Sequence, residues 1–243
     1  DHFGVKPIYY LLNDERLVVA SEAKAILGST NLSPRLDERH IAAILAGFVD
    51  ETDATHYLGI NRLPPAHALA VTADKIRLWR YWDLEPVSPP SGQDHADRFL
   101  ELFDAAVAAR MRGTKAIGAM LSGGLDSSSI AMIAGRRHLS SCGRKLTTFS
   151  LAFDQASGMD ERPFIDAVLA KGHFGPAFVP VRDHAPFAGF ETMLREQEGI
   201  FLATGLSVSR QLYAAAADKG LRVLLDGHGG DEVVSHGYGF LQE

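Results

Sequence analysis

The sequence predicts an α/β protein: a parallel sheet wrapped by helices in its second half, preceded by a strand-rich mixed α/β segment. Three observations predict it. Residues 116–137 read AIGAMLSGGLDSSSIAMIAGRR, an apolar run, a glycine turn and a helical repeat in direct succession. Short β-rich runs at 146–153, 178–181 and 221–225 alternate with helix-period stretches, the order that builds a parallel sheet. Residues 84–93 (LEPVSPPSGQ) carry three prolines with Ser and Gly, the composition of an extended linker.

The bulk properties exclude several classes. The 243 residues carry a formal charge of −6, which gives no basic footprint for nucleic acid. No apolar run approaches the ~20 residues that span a bilayer, so no membrane partner is expected. The one cysteine, Cys142, cannot form an internal disulfide and suits a reducing, cytoplasmic setting. It sits in Ser140-Ser141-Cys142-Gly143 with no base beside it, and reads as incidental.

Taken in order, residues 8–12 (IYYLL) and 17–20 (LVVA) predict two strands around a turn at Asn13-Asp14-Glu15. Ser21-Glu22 is placed to cap a short helix running through Lys24 and Leu27. A helix follows at 37–47, with Ile41, Ile44 and Leu45 expected on one face. Strands at 68–72 and 76–79 lead to Tyr81-Trp82-Asp83. His56 and His67 lie in hairpin-like surroundings without cysteine or carboxylate spacing, so they read as structural histidines. Beyond the linker, Phe99, Leu102, Phe103, Ala106 and Val107 recur at helical spacing, in a helix ending near Met111. Arg110 and Arg112 suit the negative pole of its dipole.

The run at 116–121 predicts a strand buried on both faces. Ser122-Gly123-Gly124 then turns the chain, and Asp126-Ser127-Ser128-Ser129 opens a helix through Ile130, Ile133 and Ala134. A strand, a glycine turn and a helix N-terminus rich in hydroxyls form an anion site suited to phosphate. The spacing is neither that of Walker A nor that of the dinucleotide fingerprint. Residues 146–153 predict the next parallel strand. Asp160-Glu161 opens a helix through Phe164, Val168 and Leu169, closed by Gly172. A strand at 178–181 and helices at 187–194 and 208–217 lead to the strand at 221–225. That strand runs into Asp226-Gly227-His228-Gly229-Gly230-Asp231-Glu232, three glycines among acids that add cation affinity. Both glycine loops follow strands and belong on the carboxyl edge of the sheet.

Several of these stretches carry a family resemblance. SGGLDSS at 122–128 matches the loop of the ATP-pyrophosphatase enzymes in the form seen in asparagine synthetases. DGHGGDE at 226–232 resembles that family's second signature, S-G-x-G-x-D-E. DHFGVKPIYY at 1–10 and VVASEAKAIL at 18–27 are similar to the closing part of its N-terminal-nucleophile glutaminase domain. LGINRLPPAH at 58–67 resembles its I-x-x-L-P-P-G-H hairpin, with Ala66 in place of the usual glycine. The resemblance implies a partial α+β glutaminase-type domain at 1–84 and a linker at 85–93. An ATP-pyrophosphatase domain of the adenine nucleotide alpha hydrolase type, incomplete at its C-terminus, would fill 94–243. It also implies that the glutaminase cysteine and a later acyl-transfer lysine lie outside these residues. The chain then reads as an internal piece, not expected to be active alone.

The resemblance further implies roles. Leu121, Leu151, Asp226 and Gly227 would touch the adenosine of ATP. Ser122, Gly123, Gly124, Asp126, Ser127 and Ser128 would hold its phosphates, and Asp126 and Asp231 would share Mg²⁺. Asp126, Asp231 and His228 would be catalytic, and Asp1 would help hold glutamine. The implied reaction activates a carboxylate as acyl-AMP, releases pyrophosphate and forms an amide with ammonia or an amine. Aspartate and glutamine are the default substrates, in a cytoplasmic enzyme; a homodimer is one assembly open to it, and the residues leave the oligomeric state undetermined. Two letters depart from the family: His228 replaces its usual Glu, and Asp226 its Ser. A histidine can accept a proton from an amine, and Gly-His-Gly-Gly-Asp-Glu resembles the lasso-peptide cyclases, whose substrate is a precursor peptide. The pattern at 233–238 leans the same way. A catalytically silent nucleotide-binding module is the rival of another class. A thiolating or RNA-modifying pyrophosphatase is disfavoured by the acidic charge and the lone cysteine.

Overall fold

The computed structural model describes residues 1–14, 16–30, 33–48, 53–85, 94–113, 116–153, 161–181, 189–199 and 205–231. Most of the linker expected at 85–93, together with Glu15, Asp160, residues 187–188, Glu232 and the pattern at 233–238, lies outside them. The chain divides into two compact units, Asp1–Ser88 with Gly189–Thr204, and Pro89–Ala188 with Gly205–Glu243.

In the first unit, β1 (Tyr9–Leu12) is central between β2 (Leu17–Ala20) and β3 (Ile60–Arg62) in an antiparallel sheet. Helix α1 (Ala23–Ser29) closes it through a core of Leu11, Ala23, Ile26 and Ile60. Asn13 makes the turn: its N–H donates to the Arg16 carbonyl and its side chain accepts from the Arg16 N–H. A hairpin of β4 (His67–Val71) and β5 (Ile76–Arg80) follows. Just before it, Ala66 is buried with φ +60°. That left-handed backbone suits the glycine the resembling hairpin carries, and a Cβ there costs about 1–2 kcal/mol.

Helix α2 (Glu38–Leu45) starts on Asp37, whose carboxylate accepts from the His40 N–H. Its expected apolar stripe is rotated. His40 and Ile44, one turn apart, are the buried pair, with the His40 ring edge-on to His56 at 5.4 Å. Leu45, next in sequence and so about 100° round the helix, is 63% exposed. The cap expected for α1 also fails to form, because the Glu22 side chain pairs with Lys24 at 2.9 Å. The carboxylate that takes its place is Glu198, just after α6 (Phe190–Gln197) and 175 residues from Ala23. It accepts from the N–H groups of Ala23 at 2.7 Å and Lys24 at 2.9 Å, and its side chain is only 10% exposed. Two charge-assisted bonds to a helix start satisfy donors that the helix cannot.

In the second unit, β6 (Ile117–Met120), β7 (Leu146–Ala152), β8 (Phe174–Pro180) and β9 (Val223–Leu225) form a parallel sheet in the order β8-β7-β6-β9. β6 is buried along its whole length because both faces are covered. Ile117, Ala119 and Leu121 join one cluster with α4 (Leu125–Cys142) and with Ile165 of α5 (Arg162–Leu169). Met120 joins the other, with Leu212 and Ala216 of α7 (Leu206–Asp218). Helix α3 (His95–Arg110) contributes Val107, but Phe99 and Leu102 of its expected stripe stay about half exposed. The chain lays β7 and β8 on one side of β6 and returns to put β9 on the other. Its direction across the sheet therefore reverses between β6 and β9, the switch point at which such sheets bind ligands. Among the described residues no helix is long and apolar enough to cross a membrane.

Glu198→Ala should speed amide hydrogen exchange at Ala23 and Lys24 by about tenfold, the equivalent of one lost charge-assisted bond. Unchanged protection at both amides would show that the carboxylate does not hold the helix start.

Candidate active site

The first loop is built from the end of β6. The Leu121 N–H donates to the Phe149 carbonyl at 2.9 Å, and the Leu121 carbonyl accepts from Ser150 Oγ at 2.6 Å. The strand end is thus fixed to β7 before the chain turns. Gly123 makes the turn at φ +88°, and a Cβ there would run into Phe164 and come within 3.2 Å of the Ile165 nitrogen. Gly124 then begins α4. Ser127 is buried and holds the loop from inside: its Oγ accepts from the Ser122 N–H at 3.2 Å, lies 2.9 Å from Ser122 Oγ and donates to the Gly124 carbonyl at 3.3 Å. The Ser128 hydroxyl is buried with no hydrogen-bond partner among the described residues. The first N–H groups of α4 have no acceptor inside the helix, so the turn presents a positive backbone end.

The second loop leaves the same edge. Leu225 is in register with Ala119, so the chain after β9 emerges beside the chain after β6. The two loops touch through glycines. A Cβ on Gly227 would lie 2.8 Å from the Ser127 nitrogen and 3.0 Å from Asp126 Cβ. A Cβ on Gly230 would overlap the Asp126 carboxylate, 2.5 Å from Oδ2. A side chain at 227 would meet backbone and drive the loops apart, and one at 230 would displace the Asp126 carboxylate.

Between them lies a cavity of about 400 Å³. Met120, Leu121, Phe149, Leu151 and Leu212 supply its apolar wall, and Ser122, Gly124, Ser127 and residues 226–231 its polar mouth. Four carboxylates line it: Asp126, Glu161, Asp226 and Asp231. Burial pushes the Glu161 carboxyl above its ordinary value. His228 is tied to Asp226, its N–H donating to Asp226 Oδ1 at 3.1 Å and its ring Nδ1 lying 3.2 Å from the same oxygen. Among the described residues no group of three or more His, Cys, Asp or Glu side chains forms a metal cluster. That donor set fits Mg²⁺, which binds through one or two carboxylates and takes its other ligands from water and phosphate. A phosphate brought to a mouth lined by four acids would need such a cation, because like charges at a few ångströms repel strongly away from bulk water.

Of the residues singled out in the sequence, Leu121, Ser122, Gly124, Asp126, Ser127, Leu151, Asp226, Gly227, His228 and Asp231 line this one cavity. Gly123 shapes the loop from behind. Asp1 belongs to the first unit, where its carboxylate accepts from the N–H groups of Phe3, Val5 and Lys6 and closes its own loop. His67 Nδ1 lies 2.8 Å from the Pro65 carbonyl. The apolar wall was missed in part. Met120 and Phe149 are strand-end neighbours of Leu121 and Ser150, so their place is deducible from the strand pairing. Ser209 and Leu212 also line the cavity, and no local signal marks them, since α7 reaches it only through the fold. A larger cavity, about 890 Å³, opens beside the Asp104–Arg137 ion pair between α3 and α4 and contains no residue of either glycine loop.

A parallel sheet with two glycine loops meeting at its switch point defines an α/β class whose ligands bind at the carboxyl ends of the strands. The asparagine synthase family model matches residues 98–243, and a glutamine amidotransferase domain model matches residues 1–82. The chain belongs to the asparagine synthase family. It is 31% identical over 163 residues to asparagine synthetase (glutamine-hydrolysing) 3 of Bacillus subtilis, a match covering 64% of this chain and 26% of that protein. Asparagine synthetase (glutamine-hydrolysing) 1 of the same organism is 27% identical over 257 residues, covering 100% of this chain and 37% of that protein. An amidase of Gibberella zeae is 29% identical over 178 residues, 66% of this chain and 26% of the amidase. The chain therefore spans well under half the length of these relatives.

Gly227→Ala should destabilise the second unit by about 1–3 kcal/mol in urea unfolding, because the new methyl meets backbone that cannot yield. Unchanged stability would mean that the two loops are not in contact.

Proposed function

We propose that the chain is part of an ATP-dependent amide-forming ligase. It would activate a carboxylate as its acyl-adenylate, release pyrophosphate and pass the acyl group to ammonia or an amine. The observation that carries this reading is the contact of the two glycine loops around one acid-lined cavity. In this reading residues 94–243 form the ATP-pyrophosphatase domain, residues 1–84 a partial glutaminase-type domain, and 85–93 the link.

A free carboxylate resists attack by an amine because oxide is a poor leaving group; an adenylate leaves as AMP. The apolar wall around Leu121 and Leu151 takes the adenine, and the N-terminal turn of α4 with the Ser122 hydroxyl binds phosphate oxygens. Ser127 contributes by holding that turn in shape. Asp126 and Asp231 would hold Mg²⁺, which supplies neutralisation of the phosphate charge. The protein's own task is then to keep carboxylate and α-phosphate in line and to exclude water.

Aspartate with glutamine-derived ammonia is the first substrate pair to test, since two of the relatives above carry the name asparagine synthetase (glutamine-hydrolysing). Asp1 would then help hold glutamine. A second reading, a lasso-peptide cyclase joining a precursor peptide's carboxylate to its own amine, is favoured by one observation: His228, paired with Asp226, stands where the family signature has Glu.

ATP–pyrophosphate exchange in the full-length protein tests the activation step, with aspartate and a precursor peptide supplied in turn. Asp126→Asn should lower exchange by at least about a hundredfold, the scale of losing one main electrostatic contact to the transferring group. Exchange retained by that variant would overturn the metal role. Magnesium-dependent ATP binding without any exchange in the wild type would point instead to a silent nucleotide-binding module.

A further inference from the structure

We infer that Asp226 is a positioning residue for His228, presenting its imidazole as the base that deprotonates the attacking amine; this rests on the ligase reading above. One carboxylate oxygen meets the histidine at two points. Asp226 Oδ1 accepts the His228 N–H at 3.1 Å and lies 3.2 Å from ring Nδ1. The main chain is hydrogen-bonded to that atom and the ring lies within ion-pair distance of it, which keeps the imidazole beside the carboxylate. Gly227, between them, is the residue whose missing side chain lets this turn press against Ser127 and Asp126.

The carboxylate beside Nδ1 favours the tautomer that carries its hydrogen there, because a lone pair facing a negative oxygen is repelled; the Nε2 lone pair is then free. The two side chains are unequally exposed, His228 at 69% and Asp226 at 31%. Both residues line the cavity, and the more exposed ring is the one an incoming amine can meet. Tyr213 of α7 faces Asp226, and burial together with that carboxylate holds its phenol above its ordinary value, so it stays protonated. The other acidic groups lining the same cavity are Asp126, Glu161 and Asp231.

The step balances without a further reagent. The amine nitrogen uses its lone pair to form the C–N bond at the acyl carbon, and the C–O bond to AMP breaks with its electron pair leaving on AMP. The proton shed by the amine nitrogen passes to His228 Nε2. The resulting imidazolium, beside the Asp226 carboxylate, returns it to water through its exposed face.

Two replacements remove the carboxylate and keep a polar group, Asp226→Asn and Asp226→Ser. In the full-length protein supplied with ATP, aspartate and hydroxylamine as probe amine, each should lower hydroxamate formation about tenfold beyond whatever it loses in pyrophosphate exchange. Neither should add to the defect of His228→Ala, because Asp226 acts through that ring. Histidine ¹⁵N spectra supply a readout independent of turnover: His228 carries its hydrogen on Nδ1 in the wild type and shifts toward Nε2–H in both variants. Normal exchange with an unchanged amine step, additive losses with His228→Ala, or a wild-type ring protonated on Nε2 would each overturn the inference and leave the ligase reading standing. Absence of exchange in the wild type would count against the ligase reading, and the Nδ1–H signature would still decide whether Asp226 orients the ring.

Discussion

The site depends on one steric constraint, the missing Cβ atoms of Gly227 and Gly230 where the second loop meets Asp126. These two glycines let backbone from one strand end lie against the helix start that follows another. The cavity mouth, the neighbouring carboxylates and the placing of His228 all follow from that contact. It is possible only because β6 and β9 are paired in parallel at the point where the sheet reverses direction. Protein interiors do not stretch to absorb a methyl group at backbone contact distance, so Gly227 is a geometric requirement, and Gly230 leaves the Asp126 carboxylate its place.

Much of this was legible because it is local. The run from Ile117 to Ala134 states a buried strand, a left-handed turn and a helix with a polar start within eighteen residues, and each step has a physical cause readable from residue type. The same holds for Leu225 leading into Gly227. What stayed hidden is non-local. Glu22 looks like the cap of α1, yet the cap is Glu198, 175 residues away from the first amide it accepts. No pattern in either segment announces the other. Leu45 matches a helical stripe, but the buried face is chosen by His40 packing on His56. Ser127 looks like a phosphate ligand from its motif, and its hydroxyl is spent inside the loop.

Chemistry divides along the same line. In the proposed reading the parts that would handle phosphate are the glycine turns, a helix start and two acids, and the choice of nucleophile would rest on a few letters grafted onto them. At 226 and 228 this chain carries Asp and His where the resembling signature has Ser and Glu, and the structure puts those two side chains in contact. A carboxylate–imidazole pair is suited to taking a proton from an amine near neutral pH.

Manganese bound with ATP offers the sharpest check on the joint site, because its unpaired electrons broaden nearby amide signals steeply with distance. Mn²⁺·ATP should broaden Gly123 and Gly124 of the first loop together with Gly229 and Gly230 of the second. Gly143, at the far end of α4, should keep its intensity. Broadening confined to one loop, or spread evenly to Gly143, would contradict a single site shared by the two.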